Sequence, residues 1–381
     1  MTSKVKTVLL FLLLAFVSCT ESYQNQFKKG LDSIEKVDAH FISTYCDSID
    51  IVILNNDSVN AYLGTVTRVL YDDGHYFISH KPQANDSDIK ELILVFNENG
   101  EYECQIGRLG RAKNEFQGFR GWTLDPVNKE VLICEIYRSR ILRYKYDGTY
   151  AGDHEYSDIL NVNQLFYGGG DMYLQVLIPS DKGLDDLAVL NNDGQLKNVI
   201  KDRKIQTEIF MMPGIRELSY PYSDTIYHVR SFDNYLYALY DGSVSKKIPI
   251  PFMPSLSRED SRRIRMDSKI LDYIPSYGID TKDYYFLSFP GESYGMFVYE
   301  KKNNKWIGYT NSTSNIDFIL PSKFVGCGDN NVIIGIIDSA LANDLLESKA
   351  NYSSADRAKL KAIGNSENTS LLIYHIKYKE D

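Results

Sequence analysis

Hydrophobic and polar positions along this chain repeat one motif six times: a tight polar turn, then a short aromatic or β-branched run. The copies are Asp73-Gly74-His75-Tyr76-Phe77-Ile78, Lys129-Glu130-Val131-Leu132-Ile133, Gly170-Asp171-Met172-Tyr173-Leu174, Ser223-Asp224-Thr225-Ile226-Tyr227, Lys282-Asp283-Tyr284-Tyr285-Phe286-Leu287 and Asp329-Asn330-Asn331-Val332-Ile333-Ile334. From Phe77 to Ile333 the mean spacing is about 51 residues. A second run follows each copy: Leu92 to Phe96, Ile141 to Tyr146, Leu187 to Leu190, Tyr235 to Tyr240, Met296 to Tyr299 and Leu371 to Ile376. The first five of these lead into Asn99-Gly100, Asp147-Gly148, Asp193-Gly194, Asp241-Gly242 and Asn303-Asn304. Gly, Asn and Asp tolerate the positive φ that a two-residue hairpin turn demands. A further strand is expected after each turn, as in Glu101 to Ile106 and Ser243 to Ile250, and one ahead of each copy.

Four antiparallel strands per repeat, at that spacing, predict the blade of a propeller. The sixth repeat runs out of residues after its third strand, at Tyr378 to Asp381, so its outer strand must come from elsewhere. Ile49 to Leu54 is apolar, β-branched and otherwise unassigned. The expected fold is therefore all-β: a six-bladed β-propeller of four-stranded antiparallel blades, its ring closed by an N-terminal strand that covers an otherwise bare edge. A seven-bladed ring or a long β-sandwich shares the turn chemistry but leaves six copies plus an orphan strand unexplained. Leu341, Leu345, Leu346, Leu360 and Ile363, spaced among charges, predict a helical insertion over about 339–364 in the last blade. Another short helix is expected at Ser257 to Ile264.

The first residues read as an address. Lys4 and Lys6 precede an apolar run from Val8 to Val17, too short to span a bilayer, which ends in Phe16-Val17-Ser18-Cys19. A small residue before Cys looks like a bacterial lipoprotein signal, with Phe16 a departure from the usual residue there. On that reading residues 1–18 are removed, Cys19 is lipidated, residues 19–40 are a tether and residues 41–381 are the propeller. The competing reading is ordinary secretory cleavage with Cys19 unmodified. The expected location is the cell envelope, as an outer-membrane lipoprotein. The single acid Glu21 does not decide between a periplasmic and a surface-facing orientation.

Composition adds three constraints. Apolar residues make up 43% and charged residues 24%, enough for a core and against wholesale disorder. The formal charge is −9, and cleavage after residue 18 takes away Lys4 and Lys6 to leave −11. Such a chain repels phosphate backbones, which argues against nucleic acid as a partner. The 29 tyrosines suit a β-rich fold. Cys46, Cys104, Cys134 and Cys327 lie far apart, without a CxxC, and three sit in or beside apolar runs. Buried thiols are favoured over a bridge, and the spacing argues against structural zinc.

The stretch Ile106-Gly107-Arg108-Leu109-Gly110-Arg111-Ala112-Lys113-Asn114-Glu115-Phe116 resembles a signature found between blades of NHL-type propellers. With Tyr222-Ser223-Asp224-Thr225-Ile226-Tyr227, the ending Glu367-Asn368 to Lys377 and the signal sequence, the chain resembles the six-bladed β-propeller lipoproteins of Bacteroidota-type bacteria. Those proteins usually carry Gly-Pro where this chain has Ala112-Lys113. The resemblance spans nearly the whole mature chain and implies a fold and an envelope location, with no established reaction.

Catalytic chemistry is thinly represented. His40, His75, His80, His154, His228 and His375 show no metal-ligand spacing, and there is no GxSxG elbow, phosphate-binding loop or EF-hand. Gly168-Gly169-Gly170 lies between two strands and reads as a blade turn. Related propellers include metal-dependent lactonases and lyases with acids gathered at the channel mouth. Glu115, Asp125 and Asp338 are the candidates for such a metal-assisted hydrolase or lyase, though each also reads as a turn residue. The loops expected at the opposite end from the hairpin turns offer His80, Arg108, Arg111, Tyr137, Arg138, Arg230, Phe232 and Tyr294. Arg and Tyr combine planar apolar area with hydrogen-bond donors, and Tyr also stacks on sugars. The expected function is thus a non-catalytic binding or scaffolding module without cofactor or metal, its partner an unknown protein or glycan. The bland alternative is that these are ordinary surface residues. Asp-(Ser/Thr)-apolar triplets at Asp32, Asp47, Asp57, Asp224 and Asp338 are similar to an O-glycosylation acceptor of Bacteroidota-type exported proteins.

Overall fold

The computed structural model describes residues 23–55, 63–82, 91–135, 137–156, 162–176, 187–200, 216–219, 225–229, 234–254, 272–273, 275–289, 295–310, 319–348, 352–365 and 369–377. The signal sequence, Cys19 and the helix expected at Ser257 to Ile264 lie outside them. Strands β1 (Glu35–Val37) and β2 (Cys46–Val52) come first. An antiparallel meander then runs through β3 (Thr65–Asp72), β4 (His75–Lys81), β5 (Leu92–Asn97) and β6 (Tyr102–Ile106). A second comprises β7 (Phe119–Asp125), β8 (Glu130–Glu135), β9 (Arg140–Lys145) and β10 (Tyr150–Glu155). A third comprises β11 (Val162–Gly168), β12 (Asp171–Val176), β13 (Leu187–Leu190) and β14 (Leu196–Ile200).

The next strands are β15 (Arg216–Ser219), then the antiparallel trio β16 (Thr225–Val229), β17 (Tyr235–Tyr240) and β18 (Ser243–Pro249). A four-stranded meander follows: β19 (Tyr277–Asp280), β20 (Tyr284–Ser288), β21 (Met296–Glu300) and β22 (Lys305–Tyr309). Last come β23 (Lys323–Gly328), β24 (Val332–Ile337) and β25 (Ser370–Ile376). The chain is all-β, mostly sheets of four antiparallel strands, and propeller-like. The helices Ser339–Glu347 and Ser354–Gly364 lie between β24 and β25. Asp338 and Ser353 cap them by accepting from Leu341 N and Asp356 N. No helix among the described residues is long and apolar enough to cross a membrane.

β25 would be the outer edge of the last sheet. It is covered by β2, antiparallel from Cys46 opposite Ile376 to Val52 opposite Leu371. At the other side of that sheet, β23 pairs in parallel with β3 from Gly326 opposite Val69 to Gly328 opposite Tyr71. Gly326 permits this, since a Cβ there would sit 1.8 Å from the Val69 carbonyl oxygen.

Alternation along each strand sends neighbouring side chains to opposite faces, so each sheet feeds two cores. On β12, Met172 and Leu174 join Leu132 and Ile141 of the second meander, while Tyr173 joins Ile226, Tyr237 and Leu239 of the trio. Val229, Leu236 and Ile248 in turn meet Leu287, Phe297 and Trp306. Val69, Ile78 and Leu94 of the first meander meet Val325, Ile334 and Ile373 of the last sheet.

The tight turns also touch one another in sequence. Lys129 Nζ lies 3.5 Å from Asp72 and 3.2 Å from Asp73 of the preceding meander, and Tyr146 donates to Asp72 at 2.6 Å. Gly194, with φ +76°, sits against the His154 side chain. Lys197 spans Asp171 and Asp241 at 2.9 and 2.6 Å. Lys246 bonds Asn304, and Asn331 donates to Asp283 at 3.2 Å.

The N-terminal segment departs from expectation. Residues 23–31, assigned to a tether, form a helix with Tyr23 and Leu31 buried. The Phe27 ring lies 5.7 Å from that of Phe289 and 6.3 Å from those of Phe252 and Phe297. Gly30 backs onto Pro251, where a Cβ would fall 2.1 Å from the carbonyl oxygen. β1 then adds in parallel to β22, Glu35 opposite Ile307. The polar surroundings hid a Tyr23, Phe27, Leu31 stripe at helical spacing.

If β2 is integral to the fold, Ile51→Ala, at a position 5% exposed, lowers unfolding free energy by about 2–4 kcal/mol. Asp50→Ala, on the exposed face of the same strand, changes it by less than about 0.5 kcal/mol. Urea unfolding of both variants checks this, and equal small effects would mean β2 does not hold the last sheet together.

Candidate functional site

The connection from β6 to β7, residues 107–118, is a built loop. Gly110 N donates to Phe116 O at 2.9 Å, Phe116 N to Arg108 O at 3.0 Å, and Ala112 N to Glu115 Oε2 at 2.9 Å. Phe116 is fully buried, its ring 5.5 Å from that of Phe119. Gly107 carries a φ of +64°, and a Cβ there would meet the Phe116 and Tyr144 rings at 2.8 and 2.9 Å.

The β8–β9 hairpin pins this loop from beneath. Its register sets Glu135 opposite Arg140, and Arg140 Nε donates to Glu135 Oε2 at 2.6 Å. Both side chains are buried, Arg140 4% exposed and Glu135 not at all. The remaining guanidinium donors reach Lys113 O and Glu115 O, each at 2.7 Å, and Asp153 at 3.3 Å. Glu135 Oε1 accepts from Gln117 N at 3.1 Å. Tyr144 donates to Asn114 O at 3.0 Å. A buried pair carries a high desolvation cost, offset here because every group in it is hydrogen-bonded.

Four candidates meet on this loop. Arg138 donates to Arg111 O at 2.6 Å and to Ala112 O at 3.3 Å, so it fixes the loop as well as lining it. Arg108, Arg111 and Tyr137 are exposed, Tyr137 at 67%, and Leu109 joins them at 39%. Arg108, Arg111, Lys113 and Arg138 have no carboxylate within 4 Å among the described residues, and Lys113 adds a longer-range attraction to Asp153. Arg230, Phe232 and Tyr294 lie outside the described residues. On the outer side of the loop a cleft of about 890 Å³ is lined by Arg108, Asn114 and Glu115 with Tyr102, Gln105 and Tyr150.

The Ala112-Lys113 departure leaves this architecture intact. Arg138 and Arg140 take the two carbonyls, leaving Lys113 to add a cation to the rim. Arg140 and Glu135 were missed in the sequence. Their signal was a charge pair flanking the Tyr137-Arg138-Ser139 turn, where Ser139 takes a φ of +47°.

Other candidates fall elsewhere. His80 is 2% exposed, because it shares the inward face of β4 with Ile78. Its Nδ1 accepts from Gly64 N at 3.2 Å, its Nε2 has no partner, and burial pulls its pKa down to about 4. The acids considered for a metal are occupied locally. Asp125 accepts from Val127 N and Asn128 N, Glu115 from Ala112 N, and Asp338 from Leu341 N. No cluster of three metal-ligating side chains occurs among the described residues. None of the four cysteines forms a disulfide, and burial pushes the Cys46 and Cys134 thiols up to about 12. Of the triplet hydroxyls, Ser33 Oγ donates to Gly30 O at 2.6 Å.

Residues 31–375 match the domain of unknown function DUF4934 over most of the chain. The chain belongs to the DUF4934 family. No curated protein matches it in sequence. This DUF4934 chain is similar in structure to a Bacteroides fragilis protein classed as exported, with TM-score 0.67 and 14% identity over 90% of this chain and 98% of the other. It is also similar to a DUF4221 family member from Bacteroides vulgatus, with TM-score 0.52 and 13% identity over 88% of this chain and 98% of the other. At such identities the likeness speaks for the DUF4934 fold alone.

Two predictions follow from this geometry. Arg140→Ala strands Glu135 and costs about 3–5 kcal/mol. It also speeds amide exchange at Gly110 and Phe116, and Arg140→Lys rescues little because the fork is lost. Unchanged exchange would mean the loop holds itself. For His80, both states are neutral above pH 6.5, the ordinary value. Below it the unfolded chain binds a proton that the folded chain refuses until about pH 4. Stability therefore falls on acidification across that window, by at most about 1.4 kcal/mol per pH unit. His80→Gln should flatten that part of the stability–pH curve, and an identical curve would refute the assignment.

Proposed function

We propose that this chain is an exported, lipid-anchored six-bladed propeller that acts by binding at its loop end, without catalysing a reaction. The six-bladed ring is supported by the cores between successive sheets and by the turn contacts described above. The parallel β23–β3 ladder brings the last sheet back to the first. Export draws support from the likeness to the Bacteroides fragilis protein classed as exported, and the anchor from Ser18-Cys19 after the apolar run. On this reading the protein is an outer-membrane lipoprotein lipidated at Cys19.

The observation that carries the binding role is the fixed loop at 107–118. Buried Arg140 and Glu135 hold its backbone, so Arg108, Arg111 and Tyr137 are presented with the backbone ordering cost already met and only side-chain freedom left to lose. Arg230 and Tyr294, expected beside them from their place in the sequence repeat, lie outside the described residues. A protein or glycan could engage such a rim. The hydrolase or lyase alternative would need acids free to converge, and Asp125, Glu115 and Asp338 are engaged by neighbouring backbone amides.

Cys19→Ala should move the protein from the membrane fraction to the soluble fraction, and retention in the membrane would refute the anchor. A thermal-shift screen of residues 20–381 against oligosaccharides and divalent metals tests the role. A ligand at about a hundred times its dissociation constant adds about 2.7 kcal/mol. The expected result is a shift by a non-metal ligand that Arg111→Glu abolishes. A shift by a divalent ion alone would reinstate the metal-assisted enzyme.

A further inference from the structure

The two ends of the molecule differ in how their cations are used. At the turn end, Lys129, Lys145, Lys197 and Lys301 each lie within 4 Å of a carboxylate, at 3.2, 2.7, 2.6 and 2.6 Å. At the loop end, Arg108, Arg111, Lys113 and Arg138 have no such partner among the described residues. Exposed apolar side chains occur at both ends, Tyr137 and Leu109 on the loop side and Val127 and Tyr240 on the turn side. Lys246 and Lys282 at the turn end also have no carboxylate within 4 Å among the described residues, so what distinguishes the loop end is the clustering of three such cations in one short stretch, Arg108, Arg111 and Lys113, on a mature protein of formal charge −11.

The N-terminal helix meets the body at the same end. Phe27 packs against Phe252, Phe289 and Phe297, which lie just beyond β18, just beyond β20 and near the start of β21. Those positions belong to the loop end, since the hairpin turns Asp241-Gly242 and Asn303-Asn304 close the opposite ends of the same strands. From Cys19 to Tyr23 there are four residues, at most about 14 Å of extended chain.

We infer that the loop end faces the membrane, and that the rim of Arg108, Arg111 and Lys113 binds the phosphates of anionic lipid headgroups. The inference rests on the anchor and ring readings above and names the partner of that same site. A docked helix beside the anchor leaves little freedom to tumble, so whichever end the helix occupies is held near the bilayer. An acidic body would be repelled from an anionic surface unless a cationic patch turned toward it. Tyr137 is suited to the water–lipid interface, where amphipathic rings settle.

The test uses the mature lipidated protein, in a Cys104→Ser background, on phosphatidylcholine vesicles with and without phosphatidylglycerol. A fluorophore is placed at Tyr137→Cys or, for the turn end, at Val127→Cys, and headgroup spin-labelled lipid serves as quencher. Flotation reports the anchor separately. The expected result is several-fold stronger quenching at 137 than at 127, enhanced by phosphatidylglycerol. Arg111→Glu with Lys113→Glu should remove the enhancement while flotation persists. Equal quenching at both positions in protein that floats would overturn the inference and leave the anchor standing. Quenching at 137 that phosphatidylglycerol does not enhance would overturn the headgroup contact. A protein that does not float fails the anchor reading itself.

Discussion

A β-sheet with a bare outer edge is a template for unwanted pairing, and among the described residues the outer edge of β25 is met by no strand that follows it in sequence. β2 covers it, reaching across the sequence from Cys46–Val52 to Ser370–Ile376. That one pairing ties the beginning of the fold to its end. It also constrains what precedes it, because β1 adds to β22 and the helix over 23–31 seats Phe27 among Phe252, Phe289 and Phe297. The N-terminal segment is thereby part of the body from Tyr23 onward.

Much of this was legible in residues whose meaning is local. Asn99-Gly100, Asp147-Gly148 and Asp241-Gly242 read as hairpin turns because positive φ is a property of the residue and not of its surroundings, and the glycines take φ of +81°, +83° and +67°. The apolar runs beside them identified strands by period alone. The orphan run at 49–54 was found by elimination, displaced by a few residues from Cys46–Val52. Asp125 reads as a turn residue and caps its own turn, whereas Asp338 caps the helix that follows it.

What escaped was whatever depends on a distant partner. Tyr23, Phe27 and Leu31 sit among Gln, Lys and Asn, and only the aromatic pocket more than two hundred residues later turns that sparse stripe into a docked helix. His80 looked like a rim residue until the register of β4 placed it inward beside Ile78. Arg138 and Arg140 are two residues apart, yet one remains exposed and the other is buried against Glu135. Positions two apart share a face in a regular strand, and it is the turn at Ser139, with φ of +47°, that sends Arg138 outward while Arg140 starts β9.

Charge placement links fold to function more closely than any catalytic motif does. At the turn end, cations are consumed in joining one sheet to the next, with Lys129 between Asp72 and Asp73 and Lys197 between Asp171 and Asp241. At the 107–118 loop the joining is done by a buried pair instead. Arg140 spends its donors on Glu135, Asp153 and two carbonyls, so Arg108, Arg111 and Lys113 are not needed to hold the structure. A loop stabilised from beneath can leave its outward cations without a carboxylate within 4 Å, and because its backbone is already ordered only side-chain freedom is lost when they meet an anion. The interior ion pair meets the loop's structural needs out of solvent, so the exposed charges carry no structural duty there.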